Sequence, residues 1–247
     1  MPCTRPQLIA ELTRVDGRRE VTLETIGRRL CASGLMATNG VNGAPATMGW
    51  SDAANLLIGS NASLNAAEAP EAVARFRAFQ PWLKTRPGSE TNLPGEISEA
   101  ETLGQALDAL IAAVPVIEDS FLDFAQQAFP QSLPSHHARM AFGPLAIVAL
   151  EIEFVRGSYE AAVIRVITNH LEKRQVVLEL AFYPDGGVPS PEGAADRVVN
   201  TRVGLQTIRA LYGAVAGRTL GAAAAPARPR GEGASGDAPG GRFQGAL

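Results

Sequence analysis

Thr22, Thr25, Arg28 and Arg29 lie within the eleven-residue run TLETIGRRLCA, at spacings that place hydroxyl and guanidinium groups together if the run is helical. At 100° per residue, Ile26, Gly27 and Leu30 gather within about 60° of Leu23, and Thr25, Arg28, Arg29 and Ala32 take the opposite side. A side built from small and basic residues can approach a phosphate-lined groove, where guanidinium groups and hydroxyls hydrogen-bond to phosphate oxygens. Thr22 is the expected N-cap of this helix, with Glu24 and Thr25 in its first turn. Gly34 is the expected stop, because glycine tolerates the left-handed conformation that ends helices. Arg18 and Arg19, in the polar connector RRE at 18–20, extend the candidate DNA-contacting set. So do Asn39 and Asn42 in the loop TNGVNGAP at 38–45.

Other chemistry is sparse. Glu151 and Glu153 share one side of an expected strand, about 7 Å apart, which suits general acid–base work and equally suits a solvated sheet face. His136 and His137 are adjacent, and neighbouring residues of a regular helix cannot both face one metal; an exposed loop is the reading. His170, beside Asn169, is a turn residue at a strand end. Cys3 and Cys31 are the only cysteines, too few for a disulfide framework, and both are read as unpaired thiols. No nucleophile elbow, phosphate loop or dinucleotide fingerprint occurs. No catalytic residue, metal or cofactor is therefore expected, nor is an enzyme.

The elements that position these residues follow from periodicity and punctuation. The chain has 247 residues, 46% of them hydrophobic, and a formal net charge of −3, which suits two small globular domains. The charge is segregated. Residues 1–50 carry six arginines against Glu11, Asp16, Glu20 and Glu24, whereas residues 87–138 carry eight acids and no Lys or Arg. A first helix is expected over 7–13, where Leu8, Ile9 and Leu12 form an apolar edge. Asp16-Gly17 is a turn, and 14–21 connects to the helix at 22–33. Leu35-Met36-Ala37 and Ala46-Thr47-Met48 flank Asn39-Gly40 and Asn42-Gly43, the dipeptides suited to hairpin turns, and are expected to form a two-stranded wing. Ser51 or Asp52 then caps a helix over Ala53–Gly59, and another helix spans Glu68–Phe79.

The order of helix, RRLCASGLM helix end, NG-rich hairpin and SDAANLLIG helix resembles winged helix-turn-helix proteins, in particular small DNA-binding proteins of bacterial prophage-like gene clusters. The resemblance covers residues 5–60, about a quarter of the chain. It implies that Thr25, Arg28 and Arg29 face the major groove of double-stranded DNA and that Asn39 and Asn42 belong to the wing. The chain departs from the pattern in having no Lys or Arg in that wing.

Beyond Pro81, Pro87-Gly88 and Pro94-Gly95 the charge changes sign, which marks a linker. Helices are expected over Glu99–Val114, ended by Pro115, and over Ile117–Phe129; their acidic amphipathic surfaces suit a hairpin, a dimer or a protein partner. Alternation at period two over Leu145–Tyr183 gives a three-stranded antiparallel meander, covered by a helix over Ala195–Ala216. The expected fold class is α+β: a winged helix-turn-helix over 1–80, a linker over 81–97, and an α+β domain over 98–217. The Gly/Ala/Pro-rich segment 218–247 follows as a disordered tail. Neither a secretory signal nor a membrane span is read, so a cytoplasmic location is expected. The expected function is double-stranded DNA binding, in transcription regulation or in genome recognition as by a small terminase subunit. Two copies should act together, since one small domain of net +2 binds too weakly for specificity. The alternative is a protein-interaction or assembly module that uses the same fold without DNA.

Overall fold

A computed structural model describes residues 3–38, 44–85, 93–128, 148–157, 159–170, 173–186 and 198–217. Helix α1 (Arg5–Asp16) begins with Pro6 in its first turn, where proline's missing N–H would have no partner anyway. The Gln7 side-chain oxygen accepts hydrogen bonds from the Thr4 amide at 2.8 Å and the Thr4 hydroxyl at 3.0 Å. The helix is thus longer than expected at both ends, and its buried Leu8, Ile9 and Leu12 form the anticipated apolar edge. Gly17, at φ 74°, turns the chain out of it. Only Gly17 to Arg19 separate α1 from α2 (Glu20–Ala32), so the connector is a tight three-residue turn rather than the longer segment 14–21.

Arg19, not Thr22, is the N-cap of α2; the helix starts earlier because Glu20, a good first-turn residue, is already helical. Leu23, Ile26, Gly27, Leu30 and Cys31 are buried. At the other end Gly34 adopts φ 70°, the Leu35 amide donates to the Leu30 carbonyl at 2.9 Å, and the Gly34 amide donates to the Cys31 carbonyl at 3.0 Å. This is a Schellman motif.

The expected wing does not form in the described residues: 35–38 and 44–49 contain no strand. Their backbone groups are engaged elsewhere. The Ala37 amide donates to the Asp52 carboxylate at 2.9 Å, the Leu35 carbonyl accepts from Asn55 at 2.5 Å, and the Met48 amide donates to the Cys3 carbonyl at 2.8 Å. Asn39 and Asn42 lie outside the described residues. Helix α3 (Trp50–Asn61) is capped by Gly49, not by Ser51 or Asp52. Asp52 sits one turn further on, where its carboxylate accepts from the Gly49 amide at 2.7 Å. Every residue from Ala53 to Asn61 is buried, as the near-continuous apolar run AANLLIG requires.

Helix α4 (Ala69–Arg77) buries Val73 and Phe76. The chain then enters strand β1 (Gln80–Thr85), not a linker. Pro81 is tolerated there because β1 lies at a sheet edge. Helix α5 (Gly95–Ser98) is one turn long, and α6 (Leu103–Ala112) starts at Thr102, whose hydroxyl accepts from the Gln105 amide at 3.2 Å. Pro115 does not separate helices by itself; it occupies the first turn of α7 (Val114–Ala128).

Among the described residues the sheet has five strands, not three. Strands β2 (Val148–Gly157), β3 (Ala161–His170) and β4 (Lys173–Tyr183) pair in succession, β1 joins β4, and β5 (Val198–Gly204) joins β2, all antiparallel, in the order β1-β4-β3-β2-β5. The single helix expected over 195–216 is therefore β5 followed by α8 (Leu205–Val215). The β-branched run Val-Val-Asn-Thr-Arg-Val prefers extended backbone, and Gly204 divides the two elements. One sheet face, with Leu150, Ile152, Phe154, Ile164, Val166, Leu180 and Phe182, joins the same continuous core as α1 to α4 and α6 to α8. That core crosses the position near residue 80 where two domains were expected to part. The described structure is α+β. Among the described residues no helix is long and apolar enough to cross a membrane.

Gly34 has open space where a Cβ would sit, so Gly34→Ala should cost only the left-handed backbone penalty, about 1–2 kcal/mol. Gly34→Asn should recover most of that loss in thermal melts. Equal stability of the alanine variant would show that the cap is not left-handed in solution.

Candidate functional site

The α1–α2 turn and the Schellman motif fix the two ends of α2, and the burial of Leu23, Ile26 and Leu30 fixes its rotation. The opposite strip is left to solvent: Val21, Thr22, Arg28, Arg29 and Ala32 are exposed and Thr25 is half-buried. Thr22 is thus on the strip, but in the first turn and not at the cap. The Thr25 hydroxyl donates to the Val21 carbonyl at 2.8 Å and accepts from Arg28 at 3.4 Å. It therefore braces Arg28 from its own helix. Glu24, the acid nearest the strip, is held by Arg5 at 3.6 Å.

The two arginines of the turn behave differently. Arg19 is exposed. Arg18 is committed to the fold: it pairs with Asp16 at 2.5 Å and donates to the Asn61 side-chain oxygen at 2.9 Å. Burial raises the Asp16 carboxyl above its ordinary value, and the Arg18 guanidinium opposes that shift. Arg18 therefore ties the turn to the end of α3 and is not placed for a groove. Arg5, Arg14, Arg75, Arg77, Arg165, Arg174, Arg202 and Arg209 likewise pair with carboxylates. Among the described residues Arg19, Arg28 and Arg29 have no such partner, and the only other arginine without one is Arg156.

The acidic pair on the sheet is not a solvated face. Glu153 is only 5% exposed and is held between Arg165 and Arg202, the latter at 3.2 Å. Arg165 also pairs with Glu179 at 2.6 Å, and Arg174 with Glu151 at 2.5 Å. Cross-strand register produces this ladder, since Glu153 lies opposite Arg202 and Arg165 opposite both Glu151 and Glu179, which leaves Arg165 diagonal to Glu153 and within its reach. Burial alone would raise the Glu153 carboxyl, but Arg165 and Arg202 more than offset it and hold it below its usual value. A carboxylate so held is a poor proton donor and a weak base.

Among the described residues no group of three or more His, Cys, Asp or Glu is arranged to hold a metal; His136 and His137 lie outside them. Cys3 and Cys31 are buried and unpaired, and burial pushes the Cys3 thiol up to about 11. The structure also brings Arg156, at the end of β2, and Glu68, just before α4, to one cavity. Neither was singled out in the sequence, because no local pattern relates a strand end to a helix start far away in the chain. Compared with protein-family models, curated proteins and solved structures, the chain matches none.

Because the folded Glu153 carboxyl titrates below the unfolded one, its stabilisation is fully present above the unfolded value near 4.5. It disappears as pH falls through the lower folded value. Glu153→Gln should therefore destabilise the protein at neutral pH by about 1–3 kcal/mol and flatten the fall in Tm between about pH 5 and 3. Parallel pH profiles for the two proteins would contradict an ionised Glu153 between its arginines.

Proposed function

We propose that this chain binds double-stranded DNA, with α2 as the element that enters the major groove. The observation that carries the reading is the segregation of arginines: among the described residues nine of thirteen pair with carboxylates of the fold, and Arg28 and Arg29 on the exposed side of α2 do not. A guanidinium without an internal partner keeps its full attraction for phosphate. Thr22 and Thr25 add hydroxyls on the same strip, and Ala32 leaves room for close approach. The three-residue turn between α1 and α2 matches a helix-turn-helix, in which the first helix supports the second against the groove.

With Arg18 engaged by Asp16, and with no wing strands in the described residues, the contacts of this reading come from Arg19, Thr22, Thr25, Arg28 and Arg29. Such a set is small for specific binding, so two copies on adjacent half-sites belong to the proposal. Transcription regulation and recognition of a genome for packaging both use a module of this kind.

The test is binding of the full chain to duplex DNA across a salt series. Arg28→Ala with Arg29→Ala should remove two phosphate contacts, weaken binding, and reduce the slope of log K against log salt by about 2. The exposure of both residues predicts an unchanged melting temperature. A folded double mutant with unaltered affinity and slope would sink the assignment of α2.

A further inference from the structure

A cavity of about 580 Å³ opens between α4, residues 62–68 before it, the adjoining ends of β2 and β3, and β5. This volume is within the range of small-molecule sites, about 300–1,000 Å³. Its apolar wall is Ala62, Leu64, Ala72 and Val199, of which Leu64 and Val199 are exposed and Ala62 and Ala72 buried. The charged groups on the wall divide into two kinds. Arg75 is satisfied from within: Glu160 accepts from it at 2.6 and 2.8 Å, and Glu71 at 3.3 Å. Arg156 and Glu68 are not.

Arg156 donates to the Ser63 carbonyl and, at 3.3 Å, to the Thr201 hydroxyl, but among the described residues no carboxylate pairs with it. Glu68 accepts from the Asn65 side chain at 2.6 Å and has no cationic partner there either. Although both line the same cavity, they do not form an ion pair with each other. Burial and the neighbouring Arg18 push the Arg156 guanidinium down, and Glu68 opposes that shift. An unbalanced guanidinium at the edge of the interior is costly unless a counter-charge arrives.

We propose that this cavity binds a small apolar zwitterion of the amino-acid or dipeptide class, its carboxylate on Arg156, its ammonium on Glu68 and its aliphatic body against Leu64, Ala72 and Val199. A simple anion is disfavoured because Glu68, Glu71 and Glu160 line the same walls. A simple cation is disfavoured by Arg156 and Arg75. Only a ligand carrying both charges meets each unpaired group with its opposite: an analogue without the carboxylate leaves the half-buried Arg156 unpaired, and one without the ammonium forgoes the attraction of the exposed Glu68.

The probes are L-leucine and the dipeptide Leu-Leu, with 4-methylpentanoate and 3-methylbutylamine as analogues that each lack one charge, titrated calorimetrically into the full chain. At least one zwitterion should bind, and each single-charge analogue should bind at least tenfold more weakly. Glu68→Gln keeps an acceptor for Asn65 at an exposed position; it should remove the advantage of leucine over 4-methylpentanoate. Arg156→Gln should remove the advantage over 3-methylbutylamine, and if that variant fails to fold, Glu68→Gln alone decides. No binding by either zwitterion at millimolar concentration, equal binding of a single-charge analogue, or an unchanged preference in folded Glu68→Gln would each overturn the assignment.

Discussion

A helix buried on every side must satisfy its own polar side chains from its neighbours, and α3 is such a helix. Asn55 does so in two directions, donating to the Leu35 carbonyl just past α2 and accepting from Arg77 of α4 at 2.9 Å. Arg77 continues to Asp108 of α6 through bonds of 3.1 and 2.8 Å. Its guanidinium lies so close to Gly104 that an added Cβ would meet it at 2.9 Å, so this position of α6 suits a residue without a side chain. At the far end of α3, Asn61 accepts from Arg18 in the α1–α2 turn. At its start, Trp50 stacks on Tyr212 of α8 with ring centroids 5.6 Å apart. The helices of the proposed DNA-binding face are thus located by hydrogen bonds that α3 needs for its own burial.

The same economy governs charge. On the sheet, Glu151, Glu153 and Glu179 face Arg165, Arg174 and Arg202, so that this surface has little net field. Buried or half-buried ion pairs of this kind contribute little net stability over apolar replacements, but they penalise misregistered strands, because a slip of one residue would strand a charge. Among the described arginines two groups escape this cancellation. One is the outer strip of α2, where exposed cations remain in water at little cost. The other is at the cavity beside α4, where the half-buried Arg156 is partly withdrawn from it and the exposed Glu68 stands on the same wall.

The helices around the proposed site were largely legible, since Leu23, Ile26 and Leu30 recur at helical spacing and Gly34 has only one economical role. Strand β1 was not, because Gln-Pro-Trp-Leu-Lys-Thr has a proline at a position that reads as linker until an edge partner is known. Val198, Val199 and Val203 satisfied a helical wheel as readily as a strand, and only the pairing with β2 decides between them. The wing was misjudged for a different reason. Local turn propensity at the Asn-Gly dipeptides does not reveal that Asp52, Asn55 and Cys3 claim the flanking backbone. Asn61 as a partner of Arg18, and Arg165 and Arg202 as partners of Glu153, were likewise invisible, being distant in sequence, and such partners are what distinguish a structural arginine from one free to meet a ligand.

Helix α1 packs against α8, the first described helix against the last. During synthesis the chain emerges from its amino end, so Leu8, Ile9 and Leu12 leave the ribosome long before their α8 neighbours exist. At about 5–20 residues per second, the chain between Asp16 and Leu205 takes roughly 10–40 s to make. Throughout that interval the amino-terminal helices have an unfinished core, and the apolar edge of α1 is available to chaperones or to other nascent chains. The packing of α1 against α8 therefore sets a clock on biosynthesis: this core is completed only after α8 has been translated.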